Sequence, residues 1–205
     1  MHKFKEGFKA AIKSLIVALF FAVCLLAIIH ILFKYEIKTA ISYIDLISVD
    51  DSKYEYVEAS IDEETKQIKN YPEYGTKYAN IKIDRIDVDL PVYFGDDLNT
   101  LKKGVGHSSG SYFPGEGGSI VYMGHNSKDI FRRFDELEIG DKIIVTTSYG
   151  TFEYVIYNYK IINEKALEEL PIQKEKEVLM IYTCFPLNNI GYAYQRYVVY
   201  ANLVK

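Results

Sequence analysis

The chain has 205 residues and a formal net charge of −4, with no basic stripe or Arg-rich tract, which argues against a nucleic-acid partner. That length suits one domain plus an extension, since domains usually run to ~100–200 residues. Tyrosine is abundant (19), tryptophan is absent and strand formers are plentiful, which favours a mostly β domain.

Met1 to Ser14 carries Lys3, Lys5, Lys9 and Lys13 against Glu6 alone. Leu15 to Phe33 then runs apolar except for His30. Those nineteen residues are close to the ~20 that a helix needs to cross the hydrocarbon core. The lysines ahead of the run predict a cytoplasmic N-terminus and a C-terminal domain outside the cell membrane. The run ends in His30-Ile-Leu-Phe-Lys34 with no small-residue cleavage site, so it reads as an uncleaved anchor and not as a signal peptide. Cys24 lies mid-run after Val23, unlike a lipoprotein cysteine; it and His30 read as tolerated helix residues. With Cys24 in the membrane, Cys184 has no disulfide partner and is a free thiol on the exported side.

From Lys34 to about Val49, Ile37, Ile41, Ile44 and Ile47 keep helical spacing, so the helix is expected to continue past the membrane. Asp50 to Asn70 is acidic, free of Gly and Pro, and reads as a spacer. Tyr71-Pro72-Glu73-Tyr74-Gly75 marks entry to the folded domain. The expected organisation is a basic N-terminus (1–14), an anchor (15–33), a juxtamembrane helix and spacer (34–77) and a catalytic domain (78–205).

Within that domain Ala79–Ile86 and Leu90–Phe94 read as strands, with Pro91 suggesting an edge or a strand start. Leu98 to Gly118 reads as a long irregular connection rich in Gly and Ser. Ser119–Met123 is a short apolar strand ending in Gly124-His125-Asn126. Ser127–Leu137 is expected to be a short helix, with Ile130, Phe131, Phe134 and Leu137 at helical spacing. Lys142–Thr147 and Thr151–Ile162 flank a hairpin turn at Ser148-Tyr-Gly150. Glu164–Leu170 is a helical turn closed by Pro171. Val178–Cys184 and Arg196–Leu203 have the length and β-branching of buried strands. Many short strands with few helices predict a small barrel or sandwich.

The last two strands carry the chemistry. If they pair antiparallel, Cys184 and Arg196 share one rim although Arg196 comes twelve residues after the cysteine. Taken alone, Cys184 reads as an inert buried thiol, because free cysteine behaves as a small hydrophobe. A nucleophile needs a thiolate, hence a basic or positive neighbour. Arg196 reads either as a strand-start ion pair or as a fixed charge beside a developing oxyanion. The domain's histidines are His107 and His125, each following a glycine, and composition does not choose between them. His125 ends a strand, as Cys184 does.

These residues resemble the sortases, membrane-anchored cysteine transpeptidases of Gram-positive bacteria. The match runs from about Ala79 onward and rests on Gly104-Val-Gly-His107, Pro114-Gly-Glu-Gly117, Gly124-His125-Asn126, Gly140-Asp141, Thr183-Cys184-Phe-Pro186 and Arg196-Tyr-Val, in that order. The resemblance implies an eight-stranded β-barrel with short helices, with Cys184 as nucleophile, His125 as general acid/base and Arg196 as transition-state stabiliser. It implies thioacyl transfer from an L-P-x-T-G-like sorting signal of a surface protein to an amine of a cell-wall precursor. No cofactor and no metal are expected.

The chain has no Asp-Pro dipeptide of the kind found in the lid of pilin-polymerising class C enzymes, no second membrane helix after the last strand and no long helical insertion. It therefore looks most like class D, with a class C-like role as the alternative. An L,D-transpeptidase would place His two residues before Cys, where Tyr182 stands. The remaining alternative is an anchored binding domain without activity, although all three positions are filled.

Overall fold

The computed structural model describes residues 9, 12–31, 59–127, 129–187 and 192–204. It divides into two units, residues 1–41 and 42–205. The first contains α1, Ile12–Ile31, which is long and apolar enough to cross a membrane. Its large apolar side chains, such as Leu15, Phe20 and Ile31, are exposed, as a lipid-facing helix requires. The expected helix through Lys34–Val49 lies outside the described residues, as does the stretch 50–58.

The second unit is a closed barrel of eight strands. Its strands are β3 (Lys77–Ile83), β4 (Val88–Phe94), β5 (Val105–His107), β6 (Ser119–Met123), β7 (Lys142–Thr147), β8 (Gly150–Asn163), β9 (Val178–Phe185) and β10 (Gln195–Leu203). The order around the barrel is β10-β8-β7-β3-β4-β5-β6-β9. The β4–β5 and β6–β9 pairs are parallel, and the rest are antiparallel. Period-two alternation sends Ile81, Ile120, Tyr122, Val145, Leu179, Ile181 and Val199 into one core. Each such side chain contributes about 1.5–3 kcal/mol by leaving water.

Several expectations are corrected. The first strand stops at Ile83, and Asp84–Ile86 forms a 3-10 turn closed by Asp87 in the left-handed region at φ 54°. Pro91 is interior to β4, but it lies one residue before the pairing with β5 begins at Val92↔Val105, so its missing N–H breaks no bond there. The connection read as irregular contains α2 (Leu98–Leu101), capped by the Asp97 side chain, and then β5. The described residues 127 and 129–137 do not form an α-helix. They make successive turns and a 3-10 helix at Phe134–Glu136, because burying Ile130, Phe131, Phe134 and Leu137 rewards the side chains without needing a propagated helix.

The segment read as a spacer also carries structure. β1 (Ser60–Ile61) and β2 (Ile68–Lys69) form a small hairpin, held to the barrel by the buried Glu116 carboxylate. Glu116 accepts from the Ile68 and Phe113 amides at 2.9 and 2.8 Å and from the Tyr71 hydroxyl at 3.3 Å.

Candidate active site

The β9–β10 ladder pairs Cys184 directly with Arg196. Along β9 the even positions Met180, Tyr182 and Cys184 share one face, while Leu179, Ile181 and Thr183 fill the other, which is buried. Cys184 therefore faces outward from the barrel, and so does Arg196 opposite it, flanked in β10 by the core residue Tyr197.

His125 comes to the same level from the other side. β6 runs parallel to β9 with Met123 opposite Tyr182, the last pair of that ladder, and the same register carried two residues past the strand end would set His125 level with Cys184. The ladder continues by one bond beyond the strand, from the Gly124 amide to the Tyr182 carbonyl at 3.2 Å. Glycine is required there: a Cβ at position 124 would stand 2.6 Å from the Phe131 ring. The histidine backbone is pinned by the Phe131 amide on its carbonyl at 3.1 Å. The next residue, the buried Asn126, donates its side-chain amide to the carbonyls of Pro186 and Leu187, both at 3.3 Å. Asn126 thus ties the segment carrying His125 to the segment following Cys184.

Burial is the main cause of every shift at this rim. It raises the Cys184 thiol above its ordinary 9.0, with Arg196 pulling down and Glu164 pushing up. It also holds His125 below 6.5, helped by the positive charge of Lys102. At neutral pH the resting pair is a thiol and a neutral imidazole.

The Arg196 guanidinium is held at several points. Its Nη1 donates to the Ala193 and Gln195 carbonyls at 2.7 and 2.8 Å, and its Nη2 to Glu164 at 3.2 Å. Glu164 also accepts from the Tyr192 hydroxyl. Sequence pattern gives neither Glu164 nor Asn126 a role: Glu164 sits in a polar helical turn, and Asn126 is legible only as part of Gly124-His125-Asn126.

His107 lies elsewhere. It is fully buried in an aromatic cluster with Phe94, Phe113 and Tyr122. Its Nδ1 shares a hydrogen bond with the Tyr78 hydroxyl at 2.8 Å and its Nε2 one with Ser111 Oγ at 2.9 Å. Burial drives its pKa down to about 3, so it stays neutral as a core residue. Of the two histidines only His125 stands at the cysteine rim.

A cavity of about 290 Å³ opens beside the same outer face, lined by Val121, Leu167, Leu170, Ile172 and Tyr182 with Ser108 and Gly110. Tyr182 shares its face with Cys184, so an extended peptide lying along β9 from the thiol reaches this apolar recess. Val121 pairs with Met180, four residues from Cys184 or ~13 Å of strand rise. Among the described residues no cluster of three or more His, Cys, Asp or Glu is arranged to hold a metal.

Comparison with known proteins agrees with this architecture. Residues 81–204 match the family model described as Sortase domain. The chain is 40% identical over 144 residues to Sortase D of Bacillus subtilis (strain 168), covering 68% of this chain and 72% of that protein. Among solved structures it is similar to a Sortase D5 transpeptidase of Clostridium perfringens, at 30% identity and a TM-score of 0.59, over 66% of this chain and 83% of that one. It is also similar to sortase C1 of Streptococcus agalactiae, at 27% identity and a TM-score of 0.57, over 63% and 68% of the two chains.

Proposed function

Because the chain belongs to the sortase family and is a sortase transpeptidase, we propose that it acts through a Cys184 thioacyl intermediate on an L-P-x-T-G-like sorting signal. Cys184 is the nucleophile, His125 the general acid/base and Arg196 the transition-state stabiliser. The observation that carries this reading is Arg196 paired opposite Cys184 on one neighbouring strand, supported on the other side by Gly124, the residue before His125, bonded to Tyr182 two residues before Cys184.

The steps follow from those positions. The thiol proton passes to the His125 imidazole, and the Cys184 thiolate attacks the Thr carbonyl carbon of the Thr–Gly bond. The oxygen takes up negative charge, which the guanidinium stabilises by fixed charge and donors. Collapse breaks the C–N bond, and His125 gives its proton to the departing Gly amine. The thioester is then attacked by an acceptor amine whose proton returns to His125, and the thiolate leaves. The apolar side chains ahead of the Thr fit the recess lined by Leu167, Leu170 and Tyr182.

The acceptor in this reading is an amine of a cell-wall precursor, and the partners are surface proteins that carry the signal. α1 crosses the cell membrane with its N-terminus in the cytoplasm and the barrel outside, in keeping with the lysines that precede it. The identity to Sortase D favours a class D-like role over pilin polymerisation. The test is cleavage of a fluorogenic sorting-signal peptide by the 205-residue chain in detergent. Cys184→Ala abolishes turnover; retained turnover in that variant overturns the mechanism.

A further inference from the structure

We propose that Glu164 is the positioning residue that sets the plane of the Arg196 guanidinium, an inference that rests on the stabilising role given to Arg196 above. Glu164 opens the 3-10 helix Glu164–Glu169 directly after β8, a start fixed by the Asn163 side chain accepting from the Lys165 amide at 3.0 Å. Its own amide donates to the Tyr194 carbonyl at 2.8 Å, so its backbone is fastened to the segment that leads into β10.

The carboxylate then serves two donors of that segment. One oxygen accepts from the Tyr192 hydroxyl and the other from Arg196 Nη2 at 3.2 Å. Backbone carbonyls hold Nη1 alone. A guanidinium held at one terminal nitrogen can still pivot about it. A second anchor on Nη2 removes that freedom and fixes which edge of the fork faces Cys184. The pair is largely sheltered, with side chains 16% and 21% exposed, so a fixed partner costs little further ordering.

Glu164 also has an electrostatic consequence. The charged groups that act on the Cys184 thiol are Arg196 from β10 and Glu164 from the helix after β8; further along the face, Asp96 acts on Tyr182 and Lys102 on His125. On the thiol itself Glu164 is the negative group, and it works against Arg196. Positioning and thiol ionisation therefore respond differently to substitution. Glutamine keeps an acceptor for Nη2 and loses the charge, whereas alanine loses both.

The experiment measures kcat and KM on the sorting-signal peptide, and the pH dependence of iodoacetamide alkylation, for the full chain in detergent. Glu164→Ala lowers kcat roughly tenfold with KM within about twofold, as expected when a catalytic group is loosened but not lost. Glu164→Gln restores most of that kcat, while its alkylation midpoint moves to lower pH because the opposing charge is gone. Wild-type kcat in Glu164→Ala, a Glu164→Gln as slow as Glu164→Ala, or an unmoved alkylation midpoint in Glu164→Gln each overturns the proposal. If Glu164→Ala does not fold, the two Glu164→Gln readouts still decide. Cys184→Ala is run alongside: activity there sinks the thiol mechanism, whereas an inactive Cys184→Ala with an unaffected Glu164→Ala sinks only this inference.

Discussion

Cys184 and Arg196 stand opposite each other across an antiparallel ladder whose intervening turn carries Pro186, Tyr192 and Tyr194. The pairing is set by backbone register and not by side-chain reach, so the sheet itself places the two residues side by side. The terminal nitrogens of the guanidinium are already committed to two carbonyls and a carboxylate.

Such multi-point holding depends on the planar fork. Arg196→Lys keeps the charge but offers a single nitrogen, which cannot bridge Glu164 and the carbonyls while facing the reacting oxygen. Turnover is expected to fall roughly a hundredfold, the size seen when one oxyanion donor is removed, with KM much less affected. Steady-state peptide cleavage checks this. Unchanged kcat would reduce Arg196 to a structural residue.

The pH profile follows from the two shifts at the rim. The reacting thiolate–imidazolium pair holds the same number of protons as the resting thiol–imidazole pair. Its population is therefore constant between the two macroscopic pKa values and declines outside them. With His125 held below 6.5 and Cys184 above 9.0, kcat/KM is expected to form a broad plateau. Its acid limb lies below pH 6.5 and its alkaline limb above pH 9.0. A narrow bell whose alkaline limb falls near neutrality would contradict the assignment.

The two histidines separate in a different experiment. His125→Ala is expected to be inactive but stable. His107 contributes to stability instead. Its pKa is about 3 in the fold against 6.5 unfolded, so between those values the unfolded chain binds a proton that the folded chain does not. Stability is whole above pH 6.5 and declines by about 1.4 kcal/mol for each pH unit lost on the way down towards pH 3. Urea unfolding followed by near-ultraviolet circular dichroism of the tyrosines should show a shallower acid slope in His107→Gln than in wild type. Equal slopes would remove His107 as the source.

Much of this is legible in the sequence alone. The lysine-flanked apolar run appears as α1, the Ser148–Tyr149 turn joins β7 to β8, and the final apolar segments form a strand pair. These features are local: helix length, turn chemistry and side-chain alternation are properties of short windows. A window read by spacing alone can still differ from the fold. Ile130, Phe131, Phe134 and Leu137 have the spacing of a helix face, yet all four are buried by turns, because burial depends on what surrounds a segment.

The sequence by itself determined the long apolar helix, the β character and the two apolar segments that bear Cys184 and Arg196, since each follows from neighbours along the chain. Composition leaves the two histidines open and the resemblance points to His125; the tertiary structure adds their different surroundings. Parallel pairing of β6 with β9 joins segments 59 residues apart, as in Met123 with Tyr182, and requires the whole barrel to close. That closure bonds Gly124, the residue before His125, to Tyr182 and seals His107 among Tyr78, Phe113 and Tyr122. It also brings the end of β8 against the entry to β10, where Glu164 meets Arg196. Contacts of this kind are set by barrel register, which no short window of sequence contains.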